Sequence, residues 1–222
     1  MPSPARPSLT PRKQPRQARA EATVDAIFEA TIQLLTRPGA ENLTTTRVAE
    51  RAGVSIGTLY QYFPNKQALI YALNERYLVA LTEKIEATCR AQEGESAKNM
   101  LKALIDTYWQ AKTERPEVTR ALYRSVADLD NTALIETFAQ RVDAATTAMF
   151  SSASDVDFAN LAEVNLTLVT VIFGTVRNAF ERGLDTDEAD RLHGQLLLMC
   201  EAYLVCIGER INHAGGQSGG QD

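Results

Sequence analysis

The sequence predicts an all-α protein in which an N-terminal three-helix head precedes a larger helical body. Three observations lead there. Apolar residues recur at three- and four-residue steps through most of the 222 residues. No alternating run is long enough to demand a strand. Short breakers, "ERPE", "DLDN", "SSASD" and "RGLDTD", punctuate the periodic segments at helix-length intervals.

Taken in order, Met1 to Gln17 reads as a flexible arm with five prolines, few large apolar residues, and basic residues without an acid among them. Val24, Ile27, Phe28, Leu34 and Leu35 give one apolar face to a helix that stops near Pro38-Gly39. Leu69, Leu73, Tyr77, Leu81 and Ile85 do the same for a long helix with Asn65 as its N-cap behind Pro64. Helical segments are expected over 97–113, 116–128, 131–151, 156–182 and 186–212, and 214–222 is a Gly-rich, disordered tail. The domains expected are a basic arm (1–17), a head (18–66), a helical body (67–213) and the tail.

Composition narrows the function. With 45% hydrophobic and 23% charged residues the chain can bury a real core. It has no uninterrupted apolar run of membrane-spanning length, so no membrane partner is expected. The basic N-terminus lacks the apolar segment and cleavage site of a secretory signal, which predicts a cytoplasmic location. Cys89, Cys200 and Cys206 are odd in number, lack C-x-x-C spacing and sit in apolar runs, so buried thiols are expected. The net charge of −5 hides an asymmetry: residues 1–66 carry nine Lys and Arg against five Asp and Glu, the remainder fourteen against twenty-three. A basic head on an acidic chain points to one localised polyanion contact.

Catalysis is poorly supplied. The two histidines are His193 and His213, and the residues four away from His193 are Ala189 and Leu197, so neither a triad nor a metal cluster is spaced correctly. No Gly-rich phosphate loop follows a strand. No enzyme activity, cofactor or metal is expected.

The stretch "TTTRVAERAGVSIGTLYQYFPNK" holds the informative pattern. Thr44 or Thr45 caps a first helix with Val48, Ala49 and Ala52 inward. Gly53 supplies a left-handed turn, Val54 plugs the core, and Ser55 caps a second helix whose buried side carries Leu59 and Phe63. This is the pattern of a helix-turn-helix. It leaves Gly57, Thr58, Gln61 and Tyr62 outside, where a recognition helix meets the major groove. A tyrosine hydroxyl donates to phosphate, a glutamine amide pairs with adenine, and Gly57 lets the backbone come near the duplex. Packing of Tyr60 and Tyr62 against the next helix is the other reading of those rings.

The core G-V-S-x-G-T-L-Y-x-Y-F-x-x-K, preceded by the helix "ATVDAIFEATIQLL", closely resembles the DNA-binding head of the tetracycline-repressor (TetR) family of bacterial transcription regulators, over about Ala18 to Tyr77. The resemblance implies that Thr45, Thr46 and Arg47 touch phosphates or base edges, that Ser55, Gly57, Thr58, Gln61 and Tyr62 face the groove or its walls, and that Tyr60 and Lys66 clamp the backbone. Ile56 and Gln61 fall at variable positions of such heads and become candidates for operator choice. Arg12, Lys13, Arg16 and Arg19 would follow the backbone or enter the minor groove.

The resemblance also implies a body that dimerises through its last two helices and binds a small-molecule effector. Leu168, Val171, Ile172 and Thr175 line one side of the first of these helices, and Leu196, Met199, Cys200 and Tyr203 belong to the nearly apolar second. Ordinary intrachain core is the alternative. Thr170, Gly174 and Asn178, spaced by four, would allow close approach. Tyr108, Trp109, Tyr123 and Phe138 with Arg120 and Asn165 are the effector-pocket candidates. The expected protein is a homodimeric repressor on a double-stranded, inverted-repeat operator, released by a hydrophobic or aromatic effector. A regulator without effector and an activator are the alternatives.

Overall fold

The computed structural model describes residues 18–37, 43–125 and 129–210. The arm with Arg12, Lys13 and Arg16, the tail and His213 lie outside them. Among the described residues nine helices follow one another: α1 (Ala18–Leu35), α2 (Thr45–Ala52), α3 (Ile56–Tyr62), α4 (Lys66–Ala91), α5 (Ala97–Thr113), α6 (Pro116–Ser125), α7 (Thr132–Ser151), α8 (Leu161–Arg182) and α9 (Thr186–Ile207). A two-residue antiparallel ribbon joins β1 (Val156–Asp157) to β2 (Glu209–Arg210). The class is all-α.

Helix ends carry the caps that their orphan N–H groups require. Asn65 Oδ1 accepts from the Ala68 N–H at 2.8 Å, which starts α4 where the sequence places it. Pro116 opens α6, where its missing N–H leaves no bond unmade. Asp185 and Glu188 form a reciprocal capping box on α9, with bonds of 2.8 and 3.1 Å.

The described residues fall into two compact units. One draws on described residues within 18–83, 110–140 and 178–183, the other on those within 84–109, 141–177 and 184–210. In the first, Ile27, Val48, Leu59 and Leu69 are fully buried, and Val118, Ala121 and Leu122 of α6 complete the same core. In the second, Arg141 donates two 2.8 Å bonds to the two carboxylate oxygens of Glu86, tying α7 to α4 and holding that carboxyl below its ordinary range. Buried Cys89 has its thiol pushed up to about 11 by desolvation, and Cys200 is buried too, whereas Cys206 is exposed, contrary to expectation.

Two helix boundaries differ from the periodicity reading. The helix expected from residue 156 begins at Leu161, because Val156–Asp157 is extended against Glu209–Arg210 and Asn160 Oδ1 accepts from the Glu163 N–H at 3.4 Å. The last helix ends at Ile207 rather than 212. Gly208 explains that stop: a Cβ there would lie 2.3 Å from Val156 Cγ2 and 3.0 Å from the Leu204 carbonyl oxygen. Period-based reading has no access to a ribbon of two residues per strand.

Gly208→Ala is therefore expected to destabilise the protein by about 1–3 kcal/mol, the range for overpacking a closed contact. Thermal unfolding of Gly208→Ala and of the Gly208→Ala/Val156→Ala pair checks this, since removing the valine methyls relieves the clash and should recover part of the loss.

Candidate nucleic-acid interface

The head is built from short-range chemistry. Thr44 is extended and its hydroxyl accepts from the Arg47 N–H at 3.3 Å, which starts α2. α2 ends at Gly53, whose φ of 69° is left-handed. The Gly53 N–H donates to the Glu50 carbonyl at 3.2 Å and the Val54 N–H to the Ala49 carbonyl at 3.0 Å, the paired bonds of a Schellman turn. Ser55 Oγ then accepts from the Thr58 N–H at 2.9 Å and starts α3. Val48, Ala49, Leu59 and Phe63 are buried where α2 and α3 close on α1.

α3 divides cleanly into two faces. Ile56, Gly57, Tyr60 and Gln61 are exposed, whereas Leu59 and Tyr62 are buried. Tyr62 corrects the placement expected for it. It follows Leu59 by three residues and so shares its face, is only 7% exposed, and lies tilted against Phe63 with centroids 6.3 Å apart. Tyr60, one residue after Leu59, points away from the core. Its hydroxyl is 3.0 Å from Thr45 Oγ1, which joins the exposed face of α3 to the start of α2.

Thr46 and Arg47 of α2 are exposed, Thr45 and Lys66 half-buried. The Ser55 and Thr58 hydroxyls lie 2.8 Å apart and engage each other. Gly57 has an ordinary helical backbone and space around it, since a Cβ would meet only Ser55 Oγ at 3.7 Å. A helix-interior glycine costs about 1 kcal/mol relative to alanine, and no close contact among the described residues requires one here. Arg19, in the first turn of α1, is exposed.

Comparison with known proteins decides what this arrangement belongs to. The model of bacterial regulatory proteins of the tetR family matches residues 27–73, and that of the tetracyclin repressor-like C-terminal domain matches residues 98–204. The chain belongs to the TetR family. This TetR-family protein is 36% identical over 111 residues to the nucleoid occlusion factor SlmA of Glaesserella parasuis, covering 50% of this chain and 53% of that one. It is 30% identical over 110 residues to the HTH-type transcriptional repressor KstR of Rhodococcus jostii, covering 50% of each. The chain thus spans about half the length of the curated relatives it matches. A TetR transcription regulator from Haloarcula marismortui shares the fold with a TM-score of 0.66 at 21% identity, covering 85% of this chain and all of that one. The matching family models describe bacterial regulatory proteins, and the KstR relative is a transcriptional repressor.

The body residues expected to matter are redistributed by the fold. Leu168, Ile172, Leu196 and Cys200 are buried within the single chain, so they form its own core rather than an interface. Val171, Thr175 and Tyr203 are half-buried, and of the eight only Met199 is exposed. The large apolar side chains that α8 and α9 leave open are Leu166, Leu198, Met199 and Val205, three of which sequence reasoning missed. Thr170, Gly174 and Asn178 are exposed as well. An apolar helix with two buried flanks gives no periodic signal that separates intrachain from interchain core.

The effector candidates separate likewise. Arg120 is exposed. Tyr108, Trp109 and Asn165 belong to the second unit, Tyr123 and Phe138 to the first. Tyr108 stacks on Phe173 at 4.0 Å, and Trp109 tilts against His193 at 4.9 Å. Asn165 is 3% exposed; its Nδ2 reaches the Asp143 carbonyl at 3.5 Å, and its Oδ1 has no hydrogen-bond partner among the described residues. Tyr123 faces a residue the sequence did not single out. Lys112, 2% exposed, places its Nζ 5.1 Å from the Tyr123 centroid and 4.7 Å from that of Tyr77 on α4. The Thr119 hydroxyl donates to the Lys112 carbonyl at 2.9 Å, which leaves its oxygen to accept from the Tyr77 hydroxyl at 3.1 Å.

Because Gly57 serves no internal need, Gly57→Ala should hold or raise the melting temperature while lowering affinity for operator DNA at least tenfold. Calorimetry and a binding titration on the same preparation check both halves of that prediction.

Proposed function

We propose that this chain is a homodimeric repressor that reads an inverted-repeat operator with the outer faces of two α3 helices and is released by a small hydrophobic or aromatic effector. The single observation that carries the DNA-reading half is the exposed face of α3, where a glycine without an internal role sits beside Ile56, Tyr60 and Gln61. In this reading Gln61 pairs with a base edge, Thr46, Arg47, Ser55 and Thr58 engage groove walls or phosphates, and Tyr60, held by Thr45, and Lys66 clamp the backbone. Tyr62 supports α3 from behind through its ring. Arg19, with the arm residues Arg12, Lys13 and Arg16, follows the neighbouring backbone.

One seven-residue helix reaches few base pairs, so two-fold pairing is what gives useful specificity. Leu166, Leu198, Met199 and Val205 supply the apolar face for it. Release requires that the effector bind better to a conformation with wrongly spaced recognition helices. A coupling of about 1–3 kcal/mol lowers DNA affinity some 5–150-fold. α4 runs 26 residues, about 39 Å, from its capped start beside the head. The unpaired Asn165 Oδ1 is a natural acceptor for a polar group on an otherwise apolar effector.

The likeness to nucleoid occlusion factors favours a second reading, in which the DNA-bound chain serves nucleoid occlusion instead of transcription. The two part on consequence: deleting the gene changes transcription next to a bound site in the first reading and leaves it unchanged in the second.

The test is a titration of the purified protein against DNA upstream of its own gene at several salt concentrations, with nonspecific competitor. Tight, competitor-resistant binding to an inverted repeat is expected, and Lys66→Ala should flatten the salt slope by about one unit for each phosphate it leaves unneutralised. An unchanged slope removes the role given to Lys66. Val205→Asp is expected to shift the protein to monomer in sedimentation velocity and to weaken operator binding; a dimer that persists places the interface elsewhere.

A further inference from the structure

We infer that Ile56 reads the 5-methyl group of a thymine, so that each operator half-site carries an A·T pair whose thymine methyl sets part of the specificity. The inference rests on the reading of α3 as the recognition helix and goes further by naming what one of its side chains recognises. A single exposed isoleucine on a protein surface signifies little. Ile56 differs by its place and its neighbours.

It is 39% exposed at the first position of α3, on the face it shares with Tyr60 four residues later. The polar groups beside it are paired with one another, the Ser55 and Thr58 hydroxyls at 2.8 Å and the Tyr60 hydroxyl with Thr45 at 3.0 Å, each pair keeping one hydroxyl proton for a phosphate oxygen. Gly57 offers no side chain. The first turn of α3 therefore presents a branched hydrocarbon where a base-edge reader is placed, while Gln61, one turn on, holds the amide.

In the major groove the base edges present donors and acceptors, and the one bulky apolar group among them is the C5 methyl of thymine. A side chain without donors or acceptors discriminates base pairs there by covering that methyl, and it leaves a groove acceptor dehydrated when it meets G·C instead. Ile56 has the shape and chemistry for the first and incurs the second.

The test starts from operator fragments selected from random sequence with the intact chain. Each thymine of a half-site is then replaced, one at a time, by deoxyuridine, which removes the methyl and keeps the pairing edge. One such replacement is expected to weaken wild-type binding about fourfold, and about fifteenfold when made in both half-sites, the equivalent of about one buried methyl each. Ile56→Ala should bind the parent operator more weakly and lose its sensitivity to that replacement, whereas Ile56→Val should retain it. Equal sensitivity of wild type and Ile56→Ala at every thymine, or no sensitivity in either, overturns the assignment and leaves DNA reading by α3 intact. Failure of the selection to enrich any sequence removes both.

Discussion

The left-handed backbone at Gly53 is the constraint on which the head depends. It reverses the chain within two residues, so that α2 can end on its own carbonyls and α3 can begin on the Ser55 hydroxyl. Given that turn, Val48 and Ala49 meet Leu59, and burial of Leu59 fixes the rotation of α3 about its axis. Everything the helix shows to solvent follows from that rotation. Ile56, Gly57, Tyr60 and Gln61 are outside because Leu59, Tyr62 and Phe63 are inside.

The same logic explains why the head is legible from the sequence and the body much less so. Caps at Thr44, Ser55 and Asn65, the left-handed glycine and the apolar faces of α1 and α4 act over three or four residues, the range in which side-chain type fixes backbone geometry. Tyr62 escapes such a reading because a tyrosine three residues after a core leucine satisfies both a buried ring and an exposed hydroxyl, and only the packing of Phe63 and its surroundings decides. Family likeness settles TetR membership, yet it says nothing of which residue of α8 or α9 is covered by its own chain.

In the body the decisive facts are long-range. Leu168 and Leu198 look alike in a periodic reading; one is enclosed by its own chain and the other is 61% exposed. Lys112 gives no sequence signal either, since a lysine near a helix end is ordinarily solvated. Its burial against the faces of Tyr77 and Tyr123 emerges only when α4, α5 and α6 pack. Tyr77 lies on the helix that starts beside the recognition element, so packing around Lys112 and the head share a rigid element. Such a continuous helix is the kind of part through which a conformational bias is carried.

The central claim is that the outer face of α3, with the start of α2, is the surface that meets DNA. Its most direct measurement is a nuclear magnetic resonance titration of the isotopically labelled, intact protein with a duplex operator, read at backbone amides. The account predicts that the largest changes fall on Thr46, Arg47, Ile56, Gly57, Tyr60 and Gln61, with far smaller ones at Leu59 and Val48. Changes concentrated on another surface, with these amides unmoved, would contradict it.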